Sequence, residues 1–126
     1  MMVKGVGVDI MEIHRMKVFF EQKHRFMRLF TAEELAYING KNAMKLASAC
    51  GIFCAKEAFV KAMGNGFTSF NFHEIEIQHD EKGAPYYVIT GKQQHAMQEK
   101  GIFHSSLSIS HDQGRAIAFC VLEGEK

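Results

Sequence analysis

AMKLASACGIFCAKEAFVKAMG, residues 43–64, is the stretch on which the fold turns. Leu46, Phe53, Phe59, Val60 and Met63 recur at near-helical spacing in an Ala-rich background, and Gly64 supplies the C-terminal stop. The segment therefore reads as the long central helix of the chain. Past Lys45 at its start, three charges, Lys56, Glu57 and Lys61, are set into the otherwise apolar run from Phe53 on, and each needs a physical reason to be there.

Working outward, MMVKGVGVD alternates small and β-branched residues and predicts a buried strand ending at Asp9. A helix follows, with Ile13, Met16, Phe20, His24 and Met27 on one stripe and basic residues on the other face. On that stripe His24 reads as a packed core histidine. In FTAEEL, Thr31 stands three residues before Glu34, the spacing of a capping box, so a short helix starts there. Beyond the central helix, residues 72–90 read as a hairpin turned by HDEKG, residues 92–99 as a short helix, and SSLSIS and RAIAFCVLE as strands around HDQG. The order β-α-α-α-β-β-α-β-β predicts an α+β fold, with a largely antiparallel sheet packed on the central helix. With one Pro, no repeat and no Gly/Ser linker, residues 1–126 read as a single domain.

Composition excludes several classes. There is no run of about twenty apolar residues and no signal-peptide h-region, so a soluble, cytoplasmic protein without a membrane role is expected. Cys50, Cys54 and Cys120 cannot all pair with one another; they read as reduced thiols, and no second pair of Cys or His stands at zinc-like spacing beside Cys50 and Cys54. The net charge of +1 conceals a local excess. Residues 14–28, HRMKVFFEQKHRFMR, hold five Lys or Arg against Glu21, giving +4, so the rest of the chain carries −3. No nucleic-acid reading motif accompanies these cations, which points to an acidic protein partner rather than nucleic acid.

The chemistry centres on Glu57 and Lys61, which share a helical face four residues apart. Such a spacing also describes an ordinary surface ion pair. What sets it apart is its company: Asp9 in GVGVDI and His111 in SISHD, each beside small residues. Magnesium takes one or two carboxylates, several waters and phosphate oxygens, so Asp9 and Glu57 would fill the protein's share and Lys61 would offset the remaining phosphate charge. Ser108, Ser110, His111 and Asp112 hold the letters of a hydrolase triad, but neighbours on a strand point to opposite faces and no G-x-S-x-G elbow is present. Gly64-Asn65-Gly66 reads as a helix stop in preference to a phosphate cradle.

GVGVDIMEIHRM, FTAEELAY, FCAKEAFVKAMGNGF, KGAPY and SISHDQGRAIAFCVLE resemble, in order and over nearly the whole chain, the successive blocks of the holo-acyl-carrier-protein synthases, the small type of phosphopantetheinyl transferase. The resemblance implies magnesium-dependent transfer of the phosphopantetheine arm of coenzyme A to a serine of apo acyl carrier protein, releasing adenosine 3′,5′-bisphosphate. By position, Asp9 and Glu57 match the metal-binding carboxylates and, with Lys61, the catalytic group. Lys61, Gly64, Pro85, Ser110 and His111 fall to the coenzyme A site, and Arg15, Arg25 and Arg28 to the surface that receives the carrier protein. The resemblance further implies a homotrimer with active sites between subunits. Glu57, Asp9 through a metal-bound water, and His111 all stand open as the base for the serine proton.

One departure is chain-specific. Relatives usually carry a large basic residue just before the Phe of F-x-A-K-E-A, where this chain has Gly51-Ile52; if that residue holds the nucleotide's 3′-phosphate, its contact is missing here or another residue supplies it. A non-catalytic module that binds coenzyme A or a carrier protein is the alternative, and an adaptor whose basic helix holds an acidic partner is a further one.

Overall fold

Strand β1 (Met2–Glu12) leads the chain in the computed structural model, which describes residues 1–64 and 71–125. The strand does not end at Asp9. It stays paired with the last strand as far as Glu12 opposite Arg115, which places Asp9 inside the ladder opposite Ala118. A single 3-10 turn, Ile13–Arg15, then leads into α1 (Met16–Glu21) and α2 (Lys23–Leu29). The one continuous helix expected here is two, because Gln22 leaves the helical region at φ −113°, ψ 86°. The break resets the helical phase: Met16 is buried before it, Phe26 and Leu29 turn inward after it, and His24 is exposed rather than packed in the core.

Helix α3 (Ala32–Asn39) starts on the predicted box: Glu34 N donates to Thr31 Oγ1 at 3.2 Å and Thr31 N donates to Glu34 Oε1 at 2.9 Å. A 3-10 turn, Asn42–Met44, precedes α4 (Lys45–Met63), and Gly64 closes α4 in the left-handed region at φ 74°. Asn65 and Gly66 lie outside the described residues. The hairpin of β2 (Ile75–His79) and β3 (Pro85–Ile89) follows, its loop braced by Asp80, whose Oδ1 accepts from Lys82 N and Ala84 N at 2.9 Å each. After α5 (Gly91–Glu99), β4 (Ile102–Asp112) and β5 (Arg115–Gly124) are joined by Gln113 and Gly114, both at positive φ, which suits a two-residue hairpin turn. β1, β5 and β4 form one antiparallel sheet in that order, and β2 and β3 a second. This is the expected α+β arrangement of antiparallel sheets around a long helix, with the strands divided between two sheets.

α4 is buried over most of its circumference because the large sheet lies directly against it. Ala116, Ala118, Cys120 and Leu122 of β5 are fully covered. On β1 the inward positions are Gly5 and Gly7, and a Cβ added there would sit 2.0 Å from Ala62 O and 1.9 Å from Ala58 O. Strand backbone thus rests on helix backbone, an approach open only to glycine. The three thiols belong to this core: all are buried and free, with Cys50 Sγ and Cys54 Sγ pointing at Met11 O and Ala116 O, each at 3.7 Å. Burial pushes the Cys120 thiol up to about 11, as expected of an inert packing residue.

Among the described residues nothing covers the opposite face of the sheet. Val6, Val8 and Ile10 of β1 lie across from Val121, Phe119 and Ile117 of β5, and beyond them stand Ser106, Ser108 and Ser110 of β4. Val8, Ile10 and Phe119 are 46%, 58% and 45% exposed, a contiguous apolar strip where alternation would ordinarily place polar groups.

Candidate active site

The glycine floor of β1 determines what meets the end of α4. One position beyond Gly7 on the same strand face comes Asp9, and one turn beyond Glu57 on the helix comes Lys61. Lys61 Nζ lies 3.1 Å from Asp9 Oδ1 and donates to Val8 O at 3.1 Å. The lysine therefore pairs across to the strand rather than along its own helix to Glu57. Glu57 is half-buried; burial first, and then the nearby Asp9 charge, hold its carboxyl above the ordinary carboxylate range, against the opposing pull of Lys61. Two carboxylates and one ammonium thus crowd a partly open corner where strand and helix touch.

Lys56, the third charge on the helix, has a different role. Its side chain is fully buried, and its three donors are all used: Glu34 Oε1 at 2.8 Å, Phe72 O at 2.7 Å and Ile75 O at 2.7 Å. Glu34 is equally buried; besides capping α3, its Oε2 accepts from Ile77 N at 2.8 Å. One ion pair therefore fixes α3, α4 and the start of the β2–β3 hairpin to one another. Burial lowers the Lys56 pKa, and Glu34 works against that shift.

A cleft of about 290 Å³ opens beside this junction. Pro85 and His111, both assigned to the coenzyme A site, line it, together with Gly51 and Ile52 of α4 and with Tyr37 and Lys41. Ser110 is not part of its lining: it faces the opposite side of the sheet, beside Ile10 and Ile117. Nor do Asp9, Glu57 and Lys61 line it, so a single chain holds the carboxylate corner and the cleft as separate features. Gly64 lies at the end of α4 just past Lys61, and Arg15, Arg25 and Arg28 are exposed on the 3-10 turn and on α2.

The sequence singled out Lys56 but did not reveal its burial, because its partner Glu34 carried a complete local explanation as a cap. Tyr37, Lys41 and His79 were missed altogether, since they come from α3, the turn after it and the end of β2, and no spacing links them. Among the described residues no three His, Cys, Asp or Glu side chains gather as a metal cluster, so a metal at the corner would rest on two carboxylates.

Comparison with known proteins meets this geometry from the other side. Residues 5–120 match the model of the 4′-phosphopantetheinyl transferase superfamily. The chain is 44% identical over 123 residues to a holo-(acyl-carrier-protein) synthase of Clostridium acetobutylicum, covering 97% of this chain and 98% of that protein. Its fold superposes on the holo-(acyl-carrier-protein) synthase of Neisseria meningitidis with a TM-score of 0.87 at 31% identity, covering 97% and 99% of the two chains. It is similar as well to the Helicobacter pylori enzyme solved in complex with coenzyme A, with a TM-score of 0.81 at 31% identity, covering 94% and 99%. With the family model spanning most of its length and full-length relatives this similar, the chain belongs to the 4′-phosphopantetheinyl transferase superfamily, among its holo-(acyl-carrier-protein) synthases.

Proposed function

We propose that this enzyme transfers the 4′-phosphopantetheine arm of coenzyme A to a serine of apo acyl carrier protein, with Asp9, Glu57 and Lys61 as the catalytic group. The observation that carries the proposal is the corner where the glycine floor of β1 delivers Asp9 to Lys61 beside a half-buried Glu57. Two oxygen-donor side chains crowding one another fit a hard divalent cation, and magnesium is the ion whose usual demand on protein is one or two carboxylates. Held by Asp9 and Glu57, it would supply charge neutralisation of the coenzyme A diphosphate.

The chain's own residues do the rest by position and charge. A bond forms between the serine Oγ and the β-phosphorus, the bond from that phosphorus to the bridging oxygen breaks, and adenosine 3′,5′-bisphosphate leaves while the serine proton passes to a base in the site. Lys61, tethered by Val8 O, stands ready to offset the charge that develops on the leaving phosphate. Arg15, Arg25 and Arg28 present cations to the acidic carrier protein, which steers its encounter. On this reading the enzyme works in the cytoplasm and serves fatty acid biosynthesis.

The bare sheet face supports assembly into a homotrimer. Burying Val8, Ile10, Ile117 and Phe119 against neighbouring subunits would remove the apolar strip from water, and an active site between subunits would join the separate corner and cleft. Phe119→Arg should then yield a monomer in sedimentation velocity and lose transfer activity, whereas a monomeric parent protein would overturn the assembly. The reaction itself is tested by the intact mass of an apo carrier protein after incubation with this enzyme, coenzyme A and magnesium, with an EDTA control. The expected result is a gain of one phosphopantetheine arm that EDTA abolishes. Binding of coenzyme A without any mass gain over several carriers would instead mean a non-catalytic module.

A further inference from the structure

We propose that Cys54 is a positioning residue for Asp9, a buried thiol that donates to the carboxylate from behind and fixes the plane in which it faces the corner; the inference rests on the role proposed for Asp9 above. The register between β1 and α4 brings the two together. Gly5 meets Ala62, Gly7 meets Ala58, and Met11 meets Cys50, whose Sγ lies 3.7 Å from Met11 O. Two residues of strand, about 6.7 Å, thus keep step with four residues of helix, about 6 Å, running the opposite way. Asp9, midway between Gly7 and Met11, falls on Cys54, midway between Ala58 and Cys50.

The contact matters because of how an aspartate is held. Its terminal torsion has no sharp staggered wells, so hydrogen-bond partners, more than the side chain itself, set the carboxylate plane. Lys61 is one partner, 3.1 Å from Oδ1, but 55% of its side chain is exposed, and it is the group that turns to the phosphates in the proposed reaction. Cys54 is fully buried on the inner side, hydrogen-bonded to Asp9, and stays in place. Its Cys50 neighbour first, then burial and the Asp9 charge, hold the thiol above the ordinary range, so the proton stays on sulfur and remains available to donate. That single proton has a second acceptor in Ala116 O, 3.7 Å from Sγ, and the carboxylate is the stronger of the two. With a fixed donor behind and a mobile one in front, Asp9 keeps its orientation when Lys61 moves.

Infrared spectroscopy reads the contact directly, without magnesium or substrate. The S–H band that disappears in Cys54→Ala is that of Cys54, and in Asp9→Asn this band should move to higher frequency as its acceptor weakens. An unmoved band would give the proton to Ala116 O and overturn the inference. Function is read from initial rates of carrier-protein mass gain. Cys54→Ala should lower kcat about tenfold while KM for coenzyme A and for carrier protein stays within about twofold, and Cys54→Ser, which keeps a hydroxyl donor at the same place, should restore most of the rate. Cys120→Ala removes a buried thiol whose partner is Tyr87, and it should lower the thermal midpoint comparably to Cys54→Ala without the loss of kcat. A serine variant no better than the alanine variant, or a Cys120→Ala variant with the same loss of kcat, would make the role of Cys54 one of packing and overturn the inference. A parent protein that transfers nothing while its Cys54 band still answers to Asp9→Asn would defeat the transfer reading and uphold the contact.

Discussion

Glu34→Ala should lower the free energy of unfolding by about 3–5 kcal/mol, the range for breaking a buried ion pair from one side. The reason is the number of groups left unpaired. Removing the carboxylate orphans the buried Lys56 ammonium, and it strips Thr31 N and Ile77 N of their acceptor in the same step. Lys56→Met should cost less, since the Glu34 carboxylate, though left without its counter-ion, keeps both backbone donors, and Phe72 O keeps the N–H of Ile75. In Glu34→Gln with Lys56→Met both charges leave together while an acceptor oxygen stays, so the double variant should be more stable than the sum of its single changes by about 0.5–3 kcal/mol. Urea denaturation measures all of these, with the m-value confirming that the transition itself is unchanged. Strict additivity would mean that Glu34 and Lys56 do not act as a pair.

Asp9→Ala should have the opposite character, a loss of activity with little loss of fold. The Asp9–Lys61 pair is half open to water, with 55% of the Lys61 side chain exposed, so solvent screening leaves it worth about 0–1 kcal/mol. Transfer to the carrier protein should nonetheless fall by about 10²–10³-fold or more, because the proposed magnesium site loses one of its two carboxylates. Initial rates from carrier-protein mass, read beside the thermal midpoint, separate the two effects. Full activity in Asp9→Ala would show that the ligand assignment is wrong, and a collapse of the midpoint would show that Asp9 holds the strand to the helix.

These two substitutions also mark what the sequence could and could not disclose. The meeting of Asp9 and Lys61 was legible in part: the i,i+4 spacing set Glu57 and Lys61 on one helical face and the small residues beside Asp9 announced a close approach, although Asp9 was read as a strand end and lies inside the ladder. The capping box at Thr31 and the two hairpins were legible for the same local reason. The burial of Lys56 was not, since a KEA run in a helix reads alike whether its lysine faces water or the interior, and only packing by the β2–β3 hairpin decides. Nor was the break at Gln22, where an uninterrupted apolar stripe gave way to a turn that re-aims Phe26 and Leu29 at the core. The cleft assembled by Tyr37, Lys41 and His79 depends on three elements meeting, which is tertiary information from the outset.

The contact of Gly5 and Gly7 with the carbonyls of Ala62 and Ala58 has a consequence for how this protein can change over generations. A single methyl group at Gly7 would displace the strand from the helix, and the same displacement would carry Asp9 away from Lys61. Heritable variation at positions 5 and 7 therefore cannot trade stability against the proposed catalysis, because one set of atoms serves both. The floor of the corner is closed to gradual tuning, and under the proposed function adaptation to new donors or carriers falls to the cleft wall and the basic surface.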